Sequence, residues 1–96
     1  MQIWAKKWCQ HKITAQFTDV VQVAAWDENT LYAALKPCCE QMDLALPVVV
    51  SKHINELNKF HRTLFYKNDF LESLSDMDYL EIEIFDENAR PTQKAP

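Results

Sequence analysis

Ninety-six residues, 48% apolar and 25% charged with a net charge of −4, fit one small globular domain and exclude a wholly disordered chain. The longest apolar run, residues 44–50, is far below the ~20 residues needed to span a bilayer, and lysines interrupt residues 1–8 where a secretory leader needs its apolar segment. Three cysteines, two of them adjacent, make no disulfide framework and point to the cytoplasm.

Residues 2–8 alternate Ile3, Ala5 and Lys7 against Trp4, Lys6 and Trp8, which predicts a first strand. Ile13, Ala15 and Phe17 alternate again, so residues 12–18 make a second, joined through Gln10 and His11 by a short hairpin without the usual Asn-Gly pair. Residues 20–26 stay apolar and read as a continuation of that strand past a bulge at Thr18-Asp19. Asp27 is a good N-cap, and Leu31, Ala34, Leu35, Cys38 and Met42 recur at helical spacing, predicting a main helix over residues 28–43. Pro37 lies inside it and predicts a kink or break, because it lacks an amide donor and crowds the carbonyl of Ala33.

Residues 47–50 read as a brief buried strand, and Ser51 as the cap of a shorter helix over 52–60 with Ile54, Leu57 and Phe60 inward. Residues 63–66 suit a strand, and Asn68-Asp69 leads into one helical turn carrying Phe70, Leu71 and Leu74. The most regular alternation is in residues 78–85, where Leu80, Ile82 and Ile84 point one way and Tyr79, Glu81, Glu83 and Phe85 the other. Burying those three aliphatics contributes roughly 5–9 kcal/mol before entropy, so this strand is expected at the centre of the sheet. The resulting expectation is an α+β domain over residues 1–86, with an antiparallel-rich sheet of about four or five strands packed by one main and one shorter helix. Residues 87–96 read as a disordered tail. The chain has no glycine, so left-handed turn positions fall to Asp43, Asn68 and Asn88.

The missing glycine also excludes phosphate-cradling loops, dinucleotide fingerprints and nucleophile elbows. Cys9, His11, Cys38, Cys39, His53 and His61 lack the spacings of a structural zinc site, so neither metal nor cofactor is expected. Cys38 is expected in the core and Cys39 near its edge. No sequence feature brings a cysteine and a histidine together, and Glu81 and Glu83 suit the wet face of a strand. No catalytic residue is assigned.

Two surfaces stand out. Trp4, Lys6 and Trp8 share a strand face, as do Tyr79, Glu81, Glu83 and Phe85, and together these seven form an amphipathic aromatic patch of the kind that docks protein. The competing reading seals the tryptophans in the core beneath the second helix or residues 20–26. Residues 59–67 interleave bases with rings, so Lys59, His61, Arg62, Tyr66 and Lys67 form a candidate nucleic-acid surface, although the sequence pI of about 5.2 runs against it. The acid-rich residues 69–87 either pair with that basic stretch or mimic phosphate toward a nucleic-acid-binding partner.

The run Leu57-Asn58-Lys59-Phe60-His61-Arg62-Thr63-Leu64-Phe65-Tyr66-Lys67-Asn68-Asp69-Phe70, followed by Asp78-Tyr79-Leu80-Glu81-Ile82, resembles a family of small uncharacterised cytosolic proteins of anaerobic Gram-positive bacteria. Ile3-Trp4-Ala5-Lys6 and Ala33-Ala34-Leu35 are similar to it as well, while Pro37 and Cys38-Cys39 depart from its smooth helix. The resemblance implies a shared framework and carries no functional residue. The leading expectation is a non-enzymatic interaction module, a homodimer or an adaptor, with a nucleic-acid-associated protein or acidic mimic as the alternative.

Overall fold

In a computed structural model, residues 1–71 and 77–85 are described. Four strands, β1 (Gln2–Cys9), β2 (Lys12–Val20), β3 (Arg62–Tyr66) and β4 (Tyr79–Phe85), form one antiparallel sheet in the order β2-β1-β4-β3. Among the described residues two helices, α1 (Glu28–Gln41) and α2 (Ser51–Phe60), complete the expected α+β fold. β4 is an inner strand, as its alternation predicts.

The β1–β2 hairpin turns with both Gln10 (φ 53°) and His11 (φ 68°) left-handed, as a type I′ turn demands. Neither residue is a glycine, so each position costs about 1–2 kcal/mol, which the ladder on either side offsets. The bulge lies elsewhere than expected. Lys7 pairs with Ala15 and Trp8 with Ile13, which leaves Thr14 as the extra residue, while pairing through Thr18 and Asp19 is regular. Nor do residues 21–26 continue the strand. After Val21 donates to the Met1 carbonyl (2.9 Å), the chain leaves the sheet, and Trp26 is held instead by Asn58 of α2 through both its N–H (2.9 Å) and its carbonyl (3.0 Å).

α1 starts as expected. Asp27 accepts from the Thr30 amide (2.8 Å) while the Thr30 hydroxyl accepts from the Asp27 amide (2.9 Å). The Leu31, Ala34, Leu35, Cys38 and Met42 stripe is buried throughout. Contrary to expectation, the helix runs through Pro37 without breaking. The carbonyl that proline leaves without its helical donor belongs to Ala33, which lies on the exposed side of the helix. Cys39 is 1% exposed rather than at the core's edge, because α1 buries a wider arc than one stripe. The helix closes with the Leu44 amide on the Cys39 carbonyl (2.8 Å) around a left-handed Asp43 (φ 56°), taking glycine's usual place.

Residues 47–50 alternate in burial but join no strand. Their amides go to the Asp69 carbonyl from Val48 (2.7 Å), the Tyr32 hydroxyl from Val49 (3.0 Å) and His53 Nδ1 from Val50 (3.0 Å). That last bond makes Val50 the N-cap of α2 and puts Ser51 inside the helix, a second correction. His53 and Leu57 form the buried face of α2, with Ile54 half-buried. Phe60, expected inward, is 66% exposed, because it lies in the last turn where the chain reverses through left-handed His61 (φ 62°). A 3-10 turn over Lys67–Asp69 follows β3. Phe70 is buried and Leu71 exposed. Asn68 is not left-handed; Asn88, Leu74 and the tail lie outside the described residues.

The helices pack on one face of the sheet. Ile3, Ala5, Phe65, Leu80, Ile82 and Ile84 meet Trp26, Leu31, Leu35, Cys38, Leu57 and Met77 in one core. No helix among the described residues is long and apolar enough to cross a membrane.

Candidate protein-interaction face

Side chains alternate across a sheet, so the residues between the core positions emerge together on the other face. Register places Trp4 opposite Glu83, Lys6 opposite Glu81 and Trp8 opposite Tyr79, with Phe85 beyond. From the β3 side, Arg62 faces Glu83, Leu64 faces Glu81 and Tyr66 faces Tyr79. All seven residues expected to form the aromatic patch therefore lie on one surface, and neither helix covers it. Trp4, Trp8, Tyr79 and Phe85 are half-buried, by one another and not by a helical lid.

At the centre is an ion cluster. Glu81 accepts from Arg62 Nε and from Trp8 Nε1 (2.9 Å), with Lys6 Nζ 3.4 Å away. Lys6 Nζ also donates to Glu83 (2.9 Å) and sits 3.8 Å above the Trp4 ring, while Trp4 Nε1 donates to Gln16 (2.9 Å). Lys6 and Glu81 are only 6% and 7% exposed, although neither α1 nor α2 lies over them. Rings wall them in. Trp8 stacks on Tyr79 at 6.0 Å, Tyr79 meets Tyr66 at 5.8 Å, and Trp4 meets Phe85 edge-on at 6.4 Å.

Electrostatics follow from that geometry. Burial alone would raise the Glu81 carboxyl, but the Arg62 and Trp8 hydrogen bonds and the Lys6 charge outweigh it and hold it below the usual carboxylate range. The Glu81 hydrogen bond pushes Arg62 further up. Two cations and two carboxylates thus neutralise each other inside the monomer. Covering this face orphans no charge, which removes the main cost of burying ions at an interface.

The candidate nucleic-acid residues are less gathered. Lys59 is in the last turn of α2, His61 at the reversal, and Tyr66 and Lys67 at the far end of β3, while Arg62 is engaged by Glu81. Phe65, the ring between them, is fully buried. Of the acid-rich stretch, Glu81 and Glu83 belong to the ion cluster, and Asp69 accepts from the Tyr66 amide (2.9 Å); residues 72, 76, 86 and 87 lie outside the described residues. Leu64 and Gln16 also join the aromatic face and were missed from the sequence. The parity of Arg62, Leu64 and Tyr66 was the available signal, masked by the basic and aromatic alternation of the same run.

His53, Cys38 and Cys39 are buried in the core. His53 stacks on Phe65 at 4.1 Å, and with Nδ1 accepting from Val50 its other nitrogen lies 3.6 Å from Asp69. Burial lowers its pKa against the opposing pull of Asp69. Burial likewise pushes the Cys38 thiol up to about 12 and that of Cys39 to about 11, far from a reactive thiolate. Among the described residues, no group of three or more His, Cys, Asp or Glu side chains is placed to hold a metal ion. Compared with known proteins, the chain matches no family model, no curated protein and no solved structure.

Proposed function

We propose that the chain is a non-enzymatic protein-interaction module whose sheet face opposite α1 and α2 receives a protein surface. One observation carries this reading: Lys6 and Glu81 form a compensated ion cluster at the centre of an aromatic surface that neither α1 nor α2 covers. Interfaces concentrate aromatic side chains and arginine at their centres and deplete lysine and carboxylates there; this surface has the rings and Arg62, and its lysine and carboxylates are already paired with one another before any partner arrives. Trp4, Trp8, Tyr79 and Phe85 supply the contact area, and Lys6, Glu81 and Glu83 hold those rings in place from beneath, with part-exposed Glu83 the carboxylate within a partner's reach.

The test is mass in solution and in native extracts for wild type and the Trp4→Ala/Trp8→Ala double variant. Wild type forms a complex, with a second copy or another protein, that the double variant loses while keeping its circular dichroism. A wild type that stays monomeric and partner-free in both settings overturns the proposal.

A further inference from the structure

The start of α2 is held by a group that changes with pH. A helix commonly opens on a residue whose side chain accepts from the free amides of the first turn, while a Glu or Gln three positions on reaches back to that residue's own amide. Val50 has no side-chain acceptor, so only the second half of that arrangement exists, and His53 supplies it by accepting from the Val50 amide at Nδ1 (3.0 Å). An imidazole that accepts at Nδ1 carries its proton on Nε2, which lies 3.6 Å from the Asp69 carboxylate.

The same bond is one of three that hold residues 48–50. The Val48 amide goes to the Asp69 carbonyl and the Val49 amide to the Tyr32 hydroxyl. Of the three acceptors, only an imidazole is of a kind that titrates between pH 5 and 8. Once protonated, both ring nitrogens are donors, and the new N–H at Nδ1 is set against the Val50 N–H. The ring cannot swing aside, since it is 1% exposed and stacked on Phe65 at 4.1 Å, and turning it over only presents its other N–H. Val50 is 49% exposed, so its amide can go to water instead, and buried Val49 is what the core loses when it does.

We infer that His53 is a proton-operated latch: neutral, it closes the first turn of α2 and holds residues 48–50 on the core; protonated, it releases the Val50 amide and that segment lifts. The groups around the ring set where this happens. Asp69, from the turn after β3, and Glu56 of α2 favour the imidazolium, and Lys52 of α2 opposes it. β3 packs the uncharged Phe65 ring against it, and α1 contributes the Tyr32 hydroxyl that takes the Val49 amide. Burial outweighs the two carboxylates, so the latch is closed at neutral pH and opens below about pH 6.5. Asp69 attracts the protonated ring and keeps it in place while residues 48–50 leave. The latch lies on the helical side of the sheet and does not depend on the aromatic face.

NMR of the native protein from about pH 7.5 to about pH 5, a range in which ordinary carboxylates stay mostly ionised, tests the latch. In wild type the Val50 amide proton moves upfield and the Cα shifts of Ser51 and Lys52 lose helical character, in step with the His53 ring protons. The amides of Leu31 and Leu35 in α1 do not move. His53→Gln restores the usual helix-start residue, an acceptor that does not titrate, so its Val50 amide stays downfield throughout. The wild-type titration is decisive by itself, whether or not the variant folds. A Val50 amide that holds still while His53 titrates, or a ring that takes up no proton down to about pH 5, overturns the inference. A His53→Gln chain whose Val50 amide moves as in wild type also overturns it, by assigning the change to another group.

Discussion

Replacing Glu81 by alanine is the most informative perturbation of the ion cluster. The carboxylate accepts from Arg62 and Trp8 and lies 3.4 Å from Lys6. The Arg62 side chain is 51% exposed, so solvent screening leaves that pair worth about 1 kcal/mol or less. The bond from Trp8 adds about 1 kcal/mol, and weakened compensation of Lys6 a similar amount. Lys6 keeps Glu83 at 2.9 Å, so the loss stays below the roughly 3–5 kcal/mol of a fully orphaned buried charge. The expected destabilisation is about 2–3 kcal/mol, a fall in Tm of roughly 8–24 °C for a domain of this size. Glu81→Gln keeps an acceptor for Trp8 and should lose only about half as much. Because the folded carboxyl titrates below its unfolded value, its stabilisation is present above about pH 4.3 and disappears as pH falls through the folded pKa. Wild type should therefore lose its advantage over Glu81→Gln on acidification. Urea melts across pH 3–7 read all three chains. A Glu81→Ala chain within about 0.5 kcal/mol of wild type at neutral pH would refute the reasoning, since that is the scatter of ordinary surface changes.

Three further outcomes follow from other parts of the fold. His53 is buried neutral with a lowered pKa, so the unfolded chain takes up a proton first and stability falls as pH drops below about 6.5; thermal melts of His53→Gln should lack that slope, and an equal slope in both chains would count against it. Pro37→Ala should gain about 2 kcal/mol, because a helix-interior proline costs ~3 kcal/mol and its stiffening of the unfolded chain offsets only part of that; an unchanged urea midpoint would mean α1 accommodates the ring without cost. In the native protein a thiol reagent should modify half-exposed Cys9 and leave Cys38 and Cys39 until denaturant is added; rapid loss of all three thiols would show that α1 opens.

Much of the fold was legible because it rests on local periodicity. The alternation in β1, β2 and β4, the Asp27 cap and the Leu31–Cys38 stripe each follow from one element's own residues. What escaped depends on distant partners. Residues 47–50 have the β-branched look of a strand, yet Tyr32, Asp69 and His53 take their amides. Residues 21–26 remain apolar, yet Asn58 holds Trp26 against α2. Phe60 reads as core until the reversal at His61 leaves it outside. The aromatic face was readable for the same reason as the strands, since parity alone puts Trp4, Trp8, Tyr79 and Phe85 together once β1 and β4 pair. That Arg62 would leave the basic stretch to join Glu81 needed the register between β3 and β4.

The most direct test is acrylamide quenching of Trp26→Phe protein, in which the remaining fluorescence comes from Trp4 and Trp8. Both indoles should be readily quenched in the dilute, isolated chain and become shielded in the assembled complex. Indoles equally accessible in the two states, or already shielded in the isolated monomer, would contradict a docking role for this face.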